Sequence, residues 1–290
     1  MGSADRFSGR IGRDQRDRRL ASAVASVLVA ACALATFSAA RAEDTPLLAS
    51  GPGYIVTVGG YGLSTPKFEG AKNNEFTARP IFGIRAPGSR EWLDLPNDGL
   101  EYEFIETDNF RAGAVGNFRF ARQTDSLTRG FSRNRKIDVS VEAGGFAEYW
   151  PALWLRTRAE VRNAFIGAEG IVADLSADLV THPGSERFTF TAGPRLSLAD
   201  TSFMNAYYGI TPQQSANTGL APYHANAGVR SYGAGTSLRY KWSDAWTTLG
   251  YVEYTHLSNA ASDSPLIDSR GTGDMFTVGI GAKYSFHANW

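Results

Sequence analysis

The stretch that decides the fold is the run FTVGIGAKYSF, from Phe276 to Phe286. Apolar residues occupy every second position of this run, and small or polar residues such as Thr277 and Lys283 occupy the positions between them. Successive side chains of a β-strand point to opposite faces, so the run predicts a strand with one apolar face and one polar face. Such a strand fits a soluble sandwich, where the apolar face covers a core, and an outer-membrane barrel, where that face meets lipid.

The N-terminus carries an export signal, which favours the barrel. Residues 1–20 are rich in arginine, residues 21–40 are small and apolar, and Ala40-Arg41-Ala42 matches a cleavage pattern for signal peptidase. We therefore predict a cleaved signal peptide at 1–42. Two alternatives remain open: an uncleaved membrane anchor, because the apolar run is long enough to span a bilayer, and a lipid attached to Cys32.

Charge and cysteine content narrow the function classes. Residues 1–42 hold seven arginines and three aspartates of the chain's 29 basic and 29 acidic residues, so the remainder has 22 basic and 26 acidic residues and a net charge of −4. That balance argues against binding of nucleic acid. Cys32 is the only cysteine of the sequence, so the mature chain is predicted to lack disulfides and thiol catalysis. We divide the mature chain into a short periplasmic segment at 43–52 and a barrel at 53–290.

The mature sequence repeats short alternating runs separated by Gly, Pro, Asn and Asp, which predicts an all-β chain. We predict a transmembrane antiparallel β-barrel of about twelve strands, or about ten without its second pair, since bacterial single-chain barrels have even numbers. The predicted strands are 53–63, 75–86, 90–95, 99–105, 110–121, 136–149, 153–164, 170–180, 187–198, 230–242, 246–257 and 274–286.

The connections between these strands also indicate a membrane barrel. Short periplasmic turns, such as 243–245, alternate with mostly long extracellular loops, and this asymmetry is typical of outer-membrane barrels. Aromatic residues at strand ends predict belts at the two membrane surfaces, and the set includes Trp150, Trp154 and Trp246. We therefore expect a protein of the outer membrane of a Gram-negative bacterium, in contact with outer-membrane lipid.

Placing the apolar positions outward turns a set of charged residues toward the lumen. Strand 136–149 contributes acids, strand 153–164 contributes mainly arginines, and strand 170–180 contributes acids, so opposite charges are expected on neighbouring strands. This pairing favours a filled lumen, although an anion-guiding narrow pore remains an alternative. The predicted lumen array is Asp138, Glu142, Glu148, Arg156, Arg158, Glu160, Arg162, Asp174 and Asp178.

The predicted loop 199–229 is long and unusually apolar. Within it, Thr211-Pro212-Gln213-Gln214 has the pattern of a capping box with proline at the first helical position, which predicts a short helix. The loop is expected to pack on itself as a lid over the barrel mouth, and binding of a partner is the alternative.

A set of motif residues lies in and around this loop: Gly193, Pro194, Arg195, Asp200, Tyr207, Tyr208, Gly209, Gly219, Leu220, Ser264 and Pro265. With these residues the chain resembles the MipA/OmpV family. The resemblance covers nearly the whole mature chain and lies mainly in 193–223 and 260–267. It implies an outer-membrane β-barrel with no cofactor, and a scaffold that links a lytic murein transglycosylase to a bifunctional penicillin-binding protein. It supplies no catalytic residues.

One short motif favours an enzyme instead. His256-Leu257-Ser258-Asn259 is similar to a His-x-Ser-Asn segment of outer-membrane phospholipases and lipid A deacylases. A serine nucleophile needs a base within hydrogen-bond distance and a third group that orients the base, and the nearby Asp263 and Asp268 do not match those enzymes' spacing. We therefore predict a scaffold without enzymatic activity or a metal site. A narrow porin-like channel and an acyl hydrolase that uses His256 and Ser258 remain the alternatives.

Overall fold

A computed structural model describes residues 53–89, 91–119, 140–166, 170–182, 184–185 and 187–289. The predicted signal peptide, the segment 43–52 and Asp138 lie outside these residues. Over the described residues the strands are β1 (Tyr54–Pro66), β2 (Asn74–Arg85), β3 (Leu100–Glu106), β4 (Phe110–Arg119), β5 (Ser140–Ala152), β6 (Leu155–Ile166), β7 (Gly170–Thr181), β8 (Phe188–Ala199), β9 (Gly228–Lys241), β10 (Trp246–Leu257) and β11 (Asp274–Ala288). The helices are α1 (Thr201–Tyr208), α2 (Pro212–Thr218), α3 (Asn259–Ser262) and α4 (Pro265–Arg270).

All of these strands belong to one antiparallel sheet, hydrogen-bonded in the order β2-β1-β11-β10-β9-β8-β7-β6-β5-β4-β3. The first strand therefore pairs with the last, and Val58 lies opposite Tyr284. Among the described residues no ladder joins β2 to β3. Because neighbours along the sheet are antiparallel, these two terminal strands run in the same direction.

The sheet curls into a barrel with apolar side chains on its outer face and charged side chains on its inner face, the reverse of a soluble protein. Ile280 and Phe286 of β11 are exposed on the outside, as predicted, and Lys283 points inward to an ion pair. On the inside, Glu148 and Arg156 are fully buried. An apolar surface around a charged interior is the arrangement of an outer-membrane barrel. The predicted fold class and outer-membrane location are confirmed. The apolar side chains exposed on the outside include Phe82, Tyr102, Phe165, Leu179, Tyr232 and Leu238.

Aromatic rings form a belt at the barrel end that carries the turn 242–245. The ring centroids of Phe188 and Tyr240 lie 4.5 Å apart, and those of Trp246 and Tyr284 lie 4.9 Å apart. Aromatic rings favour the level of the lipid headgroups, so the belt marks one membrane surface. Trp150 was wrongly predicted to join such a belt: its ring is buried inside, 6.5 Å from the ring of Trp92.

The prediction of a strand at 90–95 is wrong. Residues 91–99 contain no strand, so the described chain has eleven strands rather than twelve. Because β2 and β3 run in the same direction, the segment that joins them has to cross the height of the barrel. It does so inside the lumen. We call the described residues of this segment, 86–89 and 91–99, the connector.

Candidate functional site

The predicted lumen array comes together on the inner face of β5, β6 and β7. The strand register places Arg158 opposite Glu148 on one side, and Arg156 opposite Asp178 on the other. Side chains alternate between the two faces of each strand. Once the apolar face is assigned to the outside of the barrel, all of these charged side chains are predicted to point inward. Opposite charges then meet across neighbouring strands.

Glu148 is the centre of this array. Its Oε2 atom accepts hydrogen bonds from Arg111 at 2.9 Å, from Arg156 at 2.8 Å and from Arg158 at 3.2 Å. Its Oε1 atom accepts a hydrogen bond from the indole of Trp150 at 2.8 Å. A buried carboxylate is stable in this environment because three guanidinium groups compensate for its lost hydration.

The array continues toward the opposite end of the barrel through Arg162. This guanidinium contacts Glu142 at 3.1 Å and also pairs with Glu160 and Asp174. The described members of the predicted array therefore form one connected network rather than separate pairs. Charged groups in such a network hold each other in place, which makes the wall stiff.

Several members of the network were missed by the lumen array predicted from sequence. Arg111 donates to Glu101 and Glu103 of β3, both at 2.7 Å. The alternation in β3 carries a signal for these two acids, since Glu101 and Glu103 alternate with the outward Leu100, Tyr102 and Phe104.

Arg230 was missed for a different reason. It has the same parity as the outward-facing Tyr232, which predicts that it faces lipid. A register shift between β8 and β9, at Ser197 and Leu198, turns it inward instead. There Arg230 donates to Ser197 and pairs with Glu69, contacts that alternation alone does not predict.

The connector is held at one end by a cluster of cations. The carboxylate of Glu91 lies 2.5 Å from Lys241, 2.8 Å from Lys283 and 3.7 Å from Arg239. These bases belong to β9 and β11. The anchor therefore ties the connector to the last strands of the chain.

Other residues of the connector contact the opposite half of the sheet. Asp98 accepts a hydrogen bond from Arg156 of β6 at 2.8 Å. Trp92 donates from its indole to Glu106 at the end of β3, at 2.7 Å, and packs on the buried Trp150. A segment with partners on β3, β5, β6, β9 and β11 lies at the centre of the lumen, so the barrel is filled at this level.

Three loops cover one end of the barrel. We call them the lid: residues 67–73, 200–227 and 258–273. Its core includes the fully buried Phe203, Met204 and Tyr208 of α1, which pack with Leu257 and Ile267. The expectation that the long loop packs as a lid agrees with this arrangement. The helix predicted from the capping box is confirmed as α2, with both hydrogen bonds of the box formed.

Polar contacts join the three loops of the lid. Tyr208 donates from its hydroxyl to Glu69 at 2.6 Å, and Ser264 donates from its hydroxyl to the carbonyl oxygen of Tyr208 at 2.6 Å. Tyr223 donates to the carbonyl oxygen of Ala260 at 3.0 Å. Partial burial and the nearby Asp263 carboxylate raise the pKa of the Tyr223 hydroxyl.

The motif residues of the long loop have local structural roles. Asp200 is the N-cap of α1 and accepts a hydrogen bond from the amide of Phe203 at 2.8 Å, and Gly209 follows the helix as its C-cap. Gly219 ends α2 with φ at 74°, a conformation that glycine adopts without strain. Further contacts come from the remaining motif residues: Tyr207 in the lid core, Leu220 packed against Ile210 and Leu266, Ser264 as the N-cap of α4, and Pro265 as its first residue.

The Gly193-Pro194-Arg195 motif lies in β8 beside β7. A Cβ atom at Gly193 would lie 1.7 Å from the carbonyl oxygen of Ala177, so no larger residue fits without moving the strand. Arg195 donates to the fully buried Asp178 at 2.7 Å. The motif therefore brings two strands close together and adds a cation to the lumen network.

The structure separates the two residues of the hydrolase motif. His256 contacts Asp274 of β11, with Nδ1 2.8 Å from Oδ1. Ser258 instead donates from its hydroxyl to the carbonyl oxygen of Val229. His256 thus has an acidic partner, which is neither Asp263 nor Asp268, and the serine hydroxyl points to the backbone.

Other site classes have little support in the described part of the chain. No group of three or more His, Cys, Asp or Glu side chains there is arranged to hold a metal ion. No helix of the described residues has the length and apolar character needed to cross a bilayer.

Comparison with known proteins identifies relatives of this chain. A family model described as "MltA-interacting protein MipA" matches residues 58–286. Over 78 residues, 27% of this chain, the sequence is 35% identical to the protein named "MltA-interacting protein" from Escherichia coli strain K12, and it matches the protein of that name from Shigella flexneri equally. Each match spans 31% of the relative's length. Among solved structures, the NanC porin is 12% identical, with 79% of this chain and 98% of that chain covered and a TM-score of 0.36.

Proposed function

This chain belongs to the MltA-interacting protein MipA family, and we propose that it serves as an outer-membrane docking protein for a murein transglycosylase. The observation that carries the proposal is the filled lumen. The connector and the buried ion pairs occupy the space that a porin keeps open for solutes. A stiff, filled barrel is suited to act as a platform.

The name of the relatives supports a murein transglycosylase as the partner. Proteins that match part of this chain are named for interaction with MltA. By family resemblance, the same docking protein would link the transglycosylase to a penicillin-binding protein. Both enzymes act on murein, which lies on the periplasmic side of the outer membrane.

We assign docking to the barrel end opposite the lid. That end carries the short turns 107–109, 153–154 and 242–245. In the second of these turns, Leu153 is 81% exposed and Trp154 is 57% exposed. Exposed aromatic and aliphatic side chains commonly provide the anchors of a protein interface. A position at the membrane surface would also explain why Leu153 and Trp154 are exposed. The experiment therefore has to distinguish contact with a partner protein from contact with lipid.

Capture from crosslinked envelopes tests the proposal. The protein, tagged at its C-terminus, is expected to retain a murein transglycosylase after crosslinking and washing. The double variant Leu153→Ala, Trp154→Ala is expected to lose most of that signal, because truncation of interface anchors costs about 2 kcal/mol or more each. Gln213→Ala, on the exposed face of α2 at the lid end, is the control.

The possible outcomes test the docking function and the assigned docking surface separately. Absence of any murein transglycosylase from the wild-type capture would contradict the docking function. Equal capture by the double variant would leave the docking function standing and would reject this surface. A gel-mobility assay of the folded barrel confirms that each variant is assembled before its result is used.

A further inference from the structure

A cavity of about 310 Å³ lies between the connector and the lid. The connector contributes Leu95 and Asn97 to one side of the cavity, and the lid contributes Phe68 and Tyr207 to the other. Its remaining walls come from the barrel strands. Volumes of about 300 Å³ and above, with apolar walls and a few convergent polar groups, are typical of small-molecule sites.

The described wall of this cavity is highly charged and has no net charge. Its acids are Glu69, Glu75, Asp98, Glu160, Asp174 and Glu253. Its bases are Lys67, Arg79, Arg158, Arg162, Arg195 and Arg230. The six acids therefore balance the six bases.

Two ion pairs in this wall are longer than a hydrogen bond. Arg158 and Asp98 lie 3.6 Å apart, but each also pairs closely with another charge, Glu160 and Arg156 respectively. Oε2 of Glu253 lies 3.7 Å from Nε of Arg195. Glu253 accepts hydrogen bonds from Asn97 and, at 2.5 Å, from Tyr251, and Arg195 donates to Asp178 at 2.7 Å. The pair therefore presents a carboxylate and a guanidinium side by side, both held in position and not closed on each other.

We propose that this cavity binds a small zwitterion, a molecule with one ammonium group and one carboxylate, through Glu253 and Arg195. The ammonium group lies at Glu253 and the carboxylate lies at Arg195. A ligand with one net charge brings that charge into a neutral site inside the barrel without a counter-ion, which is unfavourable. A zwitterion brings both charges, and each meets its complement.

The size of the cavity suits a ligand of about the size of a dipeptide. At ~30 Å³ for each water molecule, the cavity holds about ten waters, and alanyl-alanine has about the same number of non-hydrogen atoms. The apolar side chains of Leu95, Phe68 and Tyr207 suit short aliphatic groups. This inference does not depend on the docking function, because the cavity lies at the lid end of the barrel.

Isothermal titration calorimetry on the full chain, folded in detergent, tests the ligand class with three probes of similar size. Alanyl-alanine is a zwitterion, N-acetyl-alanyl-alanine is an anion, and alanyl-alanine amide is a cation. We expect alanyl-alanine to bind at least about tenfold more tightly than either of the others, because an unmatched charge is penalised. No detectable binding of alanyl-alanine, equal affinity for all three, or tightest binding of a charged probe would overturn the proposal.

Glu253→Gln tests the assigned residue. The substitution keeps the side-chain shape and removes the negative charge, so the cavity gains a net positive charge. Alanyl-alanine is expected to bind about tenfold more weakly, and N-acetyl-alanyl-alanine is expected to bind at least as tightly as alanyl-alanine. Asp244→Asn makes the same chemical change far from the cavity and should leave the order of the three affinities unchanged. A Glu253→Gln protein with native near-UV circular dichroism and the wild-type order of affinities would reject the site.

Discussion

Nζ of Lys283, on the last strand of the barrel, lies 2.8 Å from Oε1 of Glu91 on the connector. Lys241 of β9 holds the other oxygen of the same carboxylate at 2.5 Å. One side chain inside the lumen thus neutralises cations from two wall strands. Loss of its charge leaves those cations facing each other without an anion, and this is the basis of the first prediction.

Glu91→Gln should loosen the connector and admit ions. The wild-type protein in planar lipid bilayers is expected to show no large steady conductance, because the connector fills the lumen. The variant is expected to show open-channel events, because repulsion between Lys241 and Lys283 replaces attraction to Glu91. Asp244→Asn should behave as the wild type. A large steady conductance of the wild-type protein would favour the porin-like alternative over the filled lumen.

Glu148→Gln should destabilise the folded barrel strongly. Glu148 is fully buried and contacts Arg111, Arg156 and Arg158, so neutralising it leaves buried guanidinium groups without their shared carboxylate. Removing one partner of a buried ion pair typically costs about 3–5 kcal/mol. Equilibrium unfolding in denaturant, with the protein in lipid vesicles, measures the loss.

The control for this prediction is Glu103→Gln. Glu103 contacts Arg111 at 2.7 Å, as does Glu101, but the Glu103 side chain is 33% exposed. Exposed ion pairs contribute about 1 kcal/mol or less, so this variant should lose much less stability. Equal destabilisation by the two variants would show that burial does not set the energy of this network.

Phe203→Ala should open the lid without unfolding the barrel. Phe203 is fully buried in the lid core and stacks on Tyr207, with ring centroids 4.4 Å apart. Replacing a buried phenylalanine by alanine typically lowers the free energy of unfolding by about 3–5 kcal/mol. Here the substitution destabilises the packing of loops that are not part of the sheet. Added protease should therefore cut residues 200–227 faster in whole cells. Gln213→Ala on the exposed face of α2 should not change the rate. Cleavage at the wild-type rate would show that Phe203 does not hold the lid closed.

Ser258→Ala should leave the lipids of the outer membrane unchanged. The Ser258 hydroxyl donates to the carbonyl oxygen of Val229 rather than to His256, so it lacks the contact with a base that a nucleophile requires. Mass spectrometry of lipid A and phospholipids compares cells with the variant, the wild type and no protein. Deacylated lipid in wild-type cells that disappears with the variant would establish the hydrolase instead.

The composition of the two faces of the barrel was predictable from the sequence, because side chains alternate between the faces of a strand with a period of two residues. The alternation from Phe276 to Phe286 determines which side chains meet lipid, and the same rule placed Arg156, Arg158 and Asp178 inside the lumen. The capping box at Thr211 likewise predicted α2. Each of these predictions depends on residues close together in sequence.

The connector was not predictable in the same way. Glu91-Trp92-Leu93-Asp94-Leu95 is short and largely apolar, as a strand can be, and this composition does not show whether the segment lies in the wall or within the lumen. Pro87 and Pro96, which lack the N–H donor of a central strand, were the local signal against a strand. The partners of Glu91 and Arg230 are distant in sequence, so no local pattern identifies them.

The connector also constrains how this protein is made. Its partners include Lys283 at the C-terminal end of the chain, so its anchor at Glu91 is complete only after the last strand has arrived. A segment with neighbours on so many strands is also hard to thread into a barrel that has already closed. The strands therefore have to close around the connector during insertion into the membrane. A variant whose connector does not bind inside the lumen should reduce the yield of assembled protein.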